Sequence, residues 1–399
     1  MRVSDFLVIG GGVVGISIAR ELKREFSDLG VTLIEKEPDC GLHASSRNSG
    51  VLHAGFYYSP DSMKARFTLQ GNRMLTEYVE SRNLAINRCG KLVVAKDESE
   101  HAALDELLER GRANRVELND ITEKEARSIE PRVKTFGRAL FSPSTSSVDP
   151  SEVMGAMESD AVKEGVEIHR GVSFISKDSR GIHTSSGIYR TGYVVNAAGL
   201  YADKIAKCFD FSENYRILPF KGLYLYSDEP EGSLRTNIYP VPDLMNPFLG
   251  VHFTVTVTGR VKIGPTAIPA FWREHYGGLE NFSFSELLEI FFREMGLMAS
   301  SGFDFRRLAL EEIRKYSRMY MVFLSSLLAD GIKKDNYKRW GRPGIRAQLL
   351  DIKKNKLEMD FVVEGDNKSM HILNAVSPAF TCSLPFAEYV CGEIKNRLT

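Results

Sequence analysis

The sequence predicts an α/β protein in which a Rossmann-like nucleotide-binding domain is interleaved with a mixed-sheet α+β domain. Two motifs support this fold class: a strand, glycine turn, helix and strand at the N-terminus, and a later apolar strand that ends in small residues. The length of 399 residues also exceeds the usual ~150 of one domain. We assign to the nucleotide-binding domain residues 1–80, 145–215 and 341–399. We assign to the second domain residues 81–144 and 216–340.

The N-terminal motif has the order that a dinucleotide site requires. Asp5–Ile9 is an apolar run typical of a buried parallel strand, and Val31–Glu35 is a second such run that ends in an acid. Between them lies an amphipathic stretch that predicts a helix over residues 13–26. The turn before this helix has a G-x-G-x-x-G pattern, with Gly10, Gly12 and Gly15.

Each residue of this pattern has a physical role. Gly10 permits a tight turn, Gly12 lets the backbone approach a pyrophosphate, and Gly15 lets helix and strand pack closely. The phosphates then lie at the positive end of the helix, while Glu35 accepts a hydrogen bond from a ribose hydroxyl. Because an acid at this position disfavours a 2′-phosphate, the pattern leaves FAD and NAD as the candidates.

A second motif favours FAD. Asp149 and Pro150 begin a predicted helix as its N-cap and first residue. A hairpin is expected through Ser179–Gly181, followed by the strand Tyr193–Gly199. That strand resembles the second nucleotide-binding stretch of flavoproteins that have two dinucleotide-binding domains.

The stretch from Gly41 to Tyr58 is rich in small residues and interleaves an Arg, an Asn and two His. Such a loop can lie close to a flat ligand while side chains reach past it. It resembles the corresponding loop of the L-2-hydroxyglutarate dehydrogenase/oxidase family, in the D-amino-acid-oxidase-like superfamily of FAD enzymes. Further matching stretches are 239–242, 247–254, 263–265, 344–348 and 373–384. The chain departs from the family pattern at Val255 and at Thr266.

The resemblance implies FAD as the cofactor, bound by a defined set of residues. These are Gly10, Gly12, Val14, Gly15, Glu35, Lys36, Ser45, Ser46, Arg47, Asn48, Ser49, Val172, Ala197, Gly199, Ser377, Thr381, Ser383 and Leu384. It also implies oxidation of L-2-hydroxyglutarate, or a close 2-hydroxy acid, to the 2-oxo acid by hydride transfer to flavin N5. Quinone or oxygen would then take the electrons.

This reaction needs a carboxylate anchor and a base for the hydroxyl proton. Arg346 is the expected anchor, because a guanidinium binds a carboxylate through two parallel hydrogen bonds. His53 and His252 are the candidate bases, and we prefer His53 because its loop is expected to pass along the flavin ring. The other expected substrate contacts are Tyr57, Tyr58, Lys221 and Tyr239.

The C-terminal helix is expected to begin at 381–383, because Pro385 belongs in a first turn. In the superfamily this helix points its positive end at the flavin.

Composition excludes some classes of partner. The 52 basic and 52 acidic residues balance, so nucleic acid is not an expected partner. Five scattered cysteines lack metal-site spacing, which favours a metal-free cytoplasmic protein. Residues 280–342 combine phenylalanines with basic residues. We expect helices there to cap the second domain; a peripheral contact with the inner face of a membrane is the alternative.

Other activities stay open at this stage. An amino-acid or sarcosine-type oxidase and a glycerol-3-phosphate dehydrogenase belong to the same superfamily. A flavin-binding redox or assembly subunit without turnover is an alternative of another class, and the presence of His53, Arg346 and Lys221 argues against it.

Overall fold

The computed structural model describes residues 1–243, 249–300 and 305–398, without the side chains of residues 299, 300 and 305. Within the predicted motif 247–254, Pro247 and Phe248 therefore lie outside the described residues.

The strands are β1 (Arg2–Ile9), β2 (Val31–Glu35), β3 (Val51–Leu52), β4 (Ile86–Asn87), β5 (Lys91–Val94), β6 (Asn119–Thr122), β7 (Arg138–Ser142), β8 (Ser146–Val148), β9 (Glu167–Arg170), β10 (Phe174–Asp178), β11 (Gly181–Thr184), β12 (Gly187–Asn196), β13 (Tyr215–Gly222), β14 (Leu225–Tyr226), β15 (Asn237–Pro240), β16 (His252–Val255), β17 (Val261–Gly264), β18 (Ile268–Pro269), β19 (Arg339–Trp340), β20 (Gly344–Asp351), β21 (Lys356–Leu357), β22 (Val363–Gly365) and β23 (Ser369–Ile372). The α-helices are α1 (Val13–Glu25), α2 (Met63–Ser81), α3 (His101–Ala113), α4 (Glu123–Ile129), α5 (Pro150–Lys163), α6 (Ala202–Lys207), α7 (Phe284–Ser300), α8 (Phe305–Arg314), α9 (Arg318–Ser326) and α10 (Ala379–Leu398).

The predicted Rossmann-like core is present. Strand β1 pairs in parallel with β2 on one side and β12 on the other, and β9 and β23 extend the parallel sheet outward. The expected hairpin is formed by β10 and β11, which join the sheet through β12. Val8, Leu33 and Val195 from three of these strands are fully buried, as a sheet covered on both faces requires.

Helix α10 packs against α1 and α2 and begins earlier than the sequence predicts. It starts at Ala379, so Pro385 lies inside it instead of in the first turn. Proline lacks the N–H that would bond the carbonyl four residues back, at Thr381. That carbonyl oxygen lies against α2, where a Cβ on Gly71 would be 2.2 Å from it. The expected start at 381–383 was therefore wrong, because tertiary packing accommodates the proline.

Three further sheets complete the described part of the fold. The first has the order β19-β14-β17-β16-β15-β5-β7-β6, the second the order β18-β13-β20-β21, and the third the order β3-β8-β4. In the second, β13 pairs along its whole length with β20, which joins two segments that the sequence analysis assigned to different domains. The domain boundaries themselves stay a prediction.

A buried ion pair ties α6 to the loop after β18. Arg273 donates to both carboxylate oxygens of Asp203, at 2.7 and 3.0 Å, and both side chains are at most 1% exposed. None of the helices in the described ranges is both long and apolar enough to cross a bilayer.

Candidate active site

A cavity of about 690 Å³ runs from the carboxyl ends of β1 and β2 to strands β15 and β16. Its walls come from the glycine turn, the loop after β2, the end of β12, strands β15, β16 and β20, and the start of α10. Ligands of open parallel sheets bind at this edge.

The glycine turn is closely packed against neighbouring backbone atoms of the protein. Gly10 has φ +112°, and a Cβ there would lie 2.5 Å from the carbonyl oxygen of Ala197. A Cβ on Gly15 would lie 1.9 Å from the Gly10 carbonyl oxygen. At the start of α1, the backbone N–H of Val13 donates to the hydroxyl of Ser45 at 2.9 Å. The turn therefore needs glycine at both positions.

The acid that ends β2 is held by backbone groups. The N–H of Gly11 donates to Glu35 at 2.6 Å, and the N–H of Glu37 donates to its other carboxylate oxygen at 2.9 Å. These bonds fix the carboxylate on the cavity wall, where its remaining lone pairs can accept hydrogen bonds from hydroxyl groups.

Lys36 begins a polar network beside this acid. Its ammonium bridges Glu37 at 2.5 Å and Glu274 at 2.7 Å, and Tyr201 donates its hydroxyl to Glu274 at 2.6 Å. Lys36 and Tyr201 both line the cavity. The network thus fixes the wall near the end of β2.

The loop after β2 is held against β20. Arg47 donates to the carbonyl of Leu42 at 2.7 Å, and a Cβ on Gly344 would lie 2.4 Å from the Arg47 carbonyl oxygen. Asn48 accepts from the N–H of Gly50 at 2.8 Å. The two segments can therefore face the same flat ligand.

His53 is held by its backbone and is neutral. Its N–H donates to the hydroxyl of Thr381 at 3.2 Å, and Asn72 donates to its carbonyl at 3.2 Å. Its buried Nδ1 has no hydrogen-bond partner among the described residues. Burial, together with the charge of Lys91, lowers the pKa of His53 to about 3. The ring is therefore unprotonated at neutral pH and carries a lone pair.

His252 is oriented by two contacts. Because a carbonyl oxygen only accepts, Nδ1 carries the proton in its 3.0 Å hydrogen bond with the Gly250 carbonyl. This tautomer leaves Nε2 with a lone pair. The ring stacks on Tyr239, with centroids 3.6 Å apart. Burial lowers the pKa of His252 well below its usual value, although the Gly250 bond opposes the shift.

Arg346 faces the same end of the cavity. One guanidinium nitrogen donates to the carbonyl of Thr266 at 2.8 Å. Burial lowers the pKa of Arg346, while Tyr224 and Glu312 oppose the change. An arginine stays charged in proteins, so this end of the cavity carries a fixed positive charge.

The structure brings most of the predicted site residues to one cavity. The predicted residues that line it are Gly10, Gly12, Val14, Glu35, Lys36, Ser45, Arg47, Asn48, Ser49, His53, Val172, Ala197, Gly199, Tyr239, His252, Arg346, Ser377 and Thr381. The predicted residues that do not line it are Gly15, Ser46, Tyr57, Tyr58, Lys221, Ser383 and Leu384. Lys221 is buried elsewhere; its pKa falls to about 8 through burial, with Glu280 opposing the shift.

Sequence reasoning missed several residues near the reactive end. Tyr224 and Glu312 line the cavity, and the buried Lys315 forms an ion pair with Glu312. Lys91 lies behind Tyr239. No local motif surrounds these residues, since the fold alone brings together strand β5, the residue before β14 and helix α8.

The cavity fits FAD. The closely packed Gly10 turn and the start of α1 would hold the diphosphate, and Glu35 would hold the adenosine ribose. The Arg47–Ser49 loop, Gly344–Ala347 and the first turn of α10 surround the end where the flavin ring would lie.

Comparisons with known proteins agree with this geometry. Residues 5–362 match the DAO family, described as FAD dependent oxidoreductase. The L-2-hydroxyglutarate dehydrogenase of Escherichia coli O17:K52:H18 is 34% identical, over 99% of this chain and 94% of that protein. The human mitochondrial L-2-hydroxyglutarate dehydrogenase is also 34% identical, over 98% of this chain and 89% of that protein.

Solved structures share the fold at lower identity. An FAD-bound L-alpha-glycerophosphate oxidase from Mycoplasma pneumoniae has a TM-score of 0.78 and 21% identity, covering 99% of this chain and 95% of that chain. A glycine oxidase from Geobacillus kaustophilus has a TM-score of 0.75 and 19% identity, covering 100% and 96%. Together with the glycine cradle and the sequence relatives, these matches show that the chain belongs to the DAO family of FAD-dependent oxidoreductases, in the group of the L-2-hydroxyglutarate dehydrogenases.

Proposed function

We propose that this protein oxidises L-2-hydroxyglutarate, or a close 2-hydroxy acid, to the 2-oxo acid. The supporting observation is that Arg346 and two neutral histidines, His53 and His252, line the same cavity as the dinucleotide cradle. An anionic substrate with a hydroxyl group needs these two kinds of group, a cation for the carboxylate and an acceptor for the hydroxyl proton.

Each side chain has a role in the proposed reaction. Arg346 binds the C1 carboxylate, while its bond to the Thr266 carbonyl fixes the direction of the guanidinium. His53 accepts the hydroxyl proton on an imidazole nitrogen, since burial keeps the ring unprotonated. His252 presents a lone pair on Nε2, because its Nδ1–H is engaged by Gly250, and is therefore the alternative acceptor for the same hydroxyl proton. Bound FAD supplies the acceptor for the hydride that leaves C2.

Anaerobic mixing of the FAD-loaded protein with L-2-hydroxyglutarate tests the proposal. We expect the absorbance of the oxidised flavin, followed near 450 nm, to bleach with the L acid and not with the D acid. Bleaching by an amino acid or by glycerol 3-phosphate, with none by L-2-hydroxyglutarate, would contradict it. Protein that binds no FAD after gentle purification would contradict any flavoenzyme function.

We also propose that electrons leave to a quinone at a membrane surface, with oxygen as the other acceptor. The support is a set of exposed apolar side chains on α7 and α9, where Phe292 is 68% exposed and Phe323 is 55% exposed. Exposed basic residues lie on the same segment, among them Arg306, Arg314 and Lys334. Apolar side chains beside cations suit an anionic lipid surface. Lys315 is not available for this role, because it is buried against Glu312.

Sedimentation with liposomes tests the membrane contact. We expect binding to vesicles that contain phosphatidylglycerol and weaker binding to phosphatidylcholine alone. The double variant F292S/F323S should reduce binding, whereas V162S, which removes an apolar side chain that is 54% exposed on α5, should not. Equal binding by the wild type and F292S/F323S would contradict the contact.

A further inference from the structure

Lys91 is a fully buried lysine in an unusual setting on β5. Its side chain is 0% exposed, and its ammonium lies 4.5 Å from the ring centroids of Phe56 and Tyr57 and 4.9 Å from that of Tyr239. Within residues 1–243, 249–300 and 305–398, this ammonium has no hydrogen-bond partner, and no carboxylate forms an ion pair with it. Aromatic faces attract a cation but do not replace a counter-ion.

The ammonium lies behind the reactive end of the cavity. Tyr239 lines the cavity, stacks on His252 and has Lys91 over its ring. The charge of Lys91 contributes to the lowered pKa values of both His53 and His252, and Arg346 acts on His252 as well. Lys91 and Arg346 therefore both act electrostatically on the space beside the two histidines.

A buried ammonium without a counter-ion is costly, and burial lowers the pKa of Lys91 to about 7. An anion brought into the cavity would offset this cost. The carboxylate of Glu312 in the cavity wall is already paired with Lys315. With one substrate carboxylate on Arg346, the second positive charge remains for a second carboxylate.

We propose that Lys91 is a positioning residue that selects dianionic over monoanionic 2-hydroxy acids, by acting through the Tyr239 ring on the distal carboxylate. The inference rests on the proposed function, which it deepens by naming the charge of the substrate class. Lys221 is the rival residue. Like Lys91, it is buried and lies outside the cavity lining, but the charge of Glu280 stabilises its ammonium.

The test compares two ligands of equal chain length that differ by one carboxylate, 2-oxoglutarate and 2-oxovalerate. Their dissociation constants are measured on the oxidised FAD-loaded protein, by flavin difference spectra and calorimetry. We expect wild type to prefer the dianion, and K91M to lose about 10-fold or more of this preference while binding of 2-oxovalerate stays within about two-fold. K91R should retain the preference, and K221M should leave it unchanged.

The pH dependence gives a second readout. Because the dianion needs the protonated ammonium, its affinity in wild type should fall as the pH rises above about 7. That fall should be absent in K91M. FAD content and the unfolding midpoint establish that each variant is folded, and K91Q replaces K91M if K91M loses FAD.

The outcomes separate the two proposals. If both ligands bind and the preference is equal in wild type, K91M and K91R, the role of Lys91 is overturned while the proposed function stands. If K221M alone loses the preference, the distal carboxylate is assigned to Lys221, and the proposed role of Lys91 is again overturned. If neither 2-oxo acid binds and L-2-hydroxyglutarate does not bleach the flavin, the proposed function fails and this inference fails with it.

Discussion

The imidazole of His252 and the phenol ring of Tyr239 lie face to face, with centroids 3.6 Å apart and ring planes 18° from parallel. The two residues are on the adjacent strands β16 and β15. The stack and the Gly250 carbonyl together leave one orientation for the imidazole. Tyr239, which the sequence suggested as a substrate contact, thus orients a candidate catalytic histidine.

Removal of the Tyr239 ring should release His252. We expect Y239A to lower the rate constant of flavin reduction at saturating substrate by about 10–100-fold, since misplacement of an orienting group has a cost of this size. Y239F keeps the ring and should stay within about three-fold of wild type. Stopped-flow reduction by L-2-hydroxyglutarate measures both. Equal rates in Y239A and wild type would mean that His252 does not depend on the stack.

His53 should behave as a base that is neutral over the whole working range. We expect H53A to reduce the rate constant of flavin reduction by about 10²–10⁴-fold with FAD still bound. A base loses activity as the pH falls through its pKa, and burial lowers the pKa of His53 to about 3. The wild-type rate constant at saturating substrate should therefore show no loss from His53 between about pH 8 and pH 5. An acid limb near pH 6.5 that vanishes in H53A would contradict this assignment.

The predicted nucleotide-binding half of the site is local in the chain. The Gly10 turn, α1 and Glu35 follow one another within 26 residues, so their spacing already reports their geometry. The reactive end is different. Lys91 lies on β5, Tyr224 in the connection between β13 and β14, and Glu312 on α8, so these residues come from distant parts of the chain. The burial of these three side chains cannot be predicted from their neighbours in the chain.

Lys221 and Pro385 illustrate the same limit. Lys221 is among the expected substrate contacts, yet its side chain lies outside the cavity lining. Neighbouring residues of a strand point to opposite faces, and the sequence alone does not say which face meets the cavity. Pro385 suggests a helix start, but the contact of α10 with Gly71 on α2 decides where the helix begins.

Arg346 should act mainly on binding. We expect R346M to raise KM for L-2-hydroxyglutarate by about 100-fold, since it removes charge-assisted hydrogen bonds to the carboxylate. R346K restores the charge without the planar fork, so its KM should lie between those of R346M and wild type. Steady-state kinetics with excess acceptor measure both variants. An unchanged KM in R346M, with FAD content equal to wild type, would exclude Arg346 as the anchor.

Two helical glycines provide a matched pair for the cradle. A Cβ on Gly15 would lie 1.9 Å from the Gly10 carbonyl oxygen, whereas a Cβ on Gly155 in α5 meets nothing within 4 Å. We expect G15A to lose FAD or fail to fold. G155A should keep full FAD content and gain about 0.5–1 kcal/mol of stability, because alanine favours the helix. Flavin absorbance per polypeptide and urea denaturation measure the two effects. Normal FAD content in G15A would contradict the close packing of the turn.

Lys91 should destabilise the protein when no ligand is present. Burial lowers its pKa from 10.5 to about 7. Between these two pH values the unfolded chain therefore holds a proton on Lys91 that the folded chain has lost. The free energy of unfolding contributed by this group therefore rises with pH across about 7 to 10, with a slope of at most about 1.4 kcal/mol per pH unit. Below pH 7 both states are protonated, and the cost of burying the charge is fully present.

K91M removes that cost. At about pH 6 we expect K91M to be more stable than wild type by about 1–3 kcal/mol, and the difference should shrink as the pH approaches 10. Urea denaturation of the two proteins at matched FAD content, across this range, measures it. Lys262 offers the control: it is also buried over an aromatic ring, 4.6 Å from the Tyr224 centroid, but Asp149 stabilises its charge. K262M should therefore gain less. Destabilisation by K91M at every pH would mean that the aromatic contacts of the ammonium outweigh the cost of its burial.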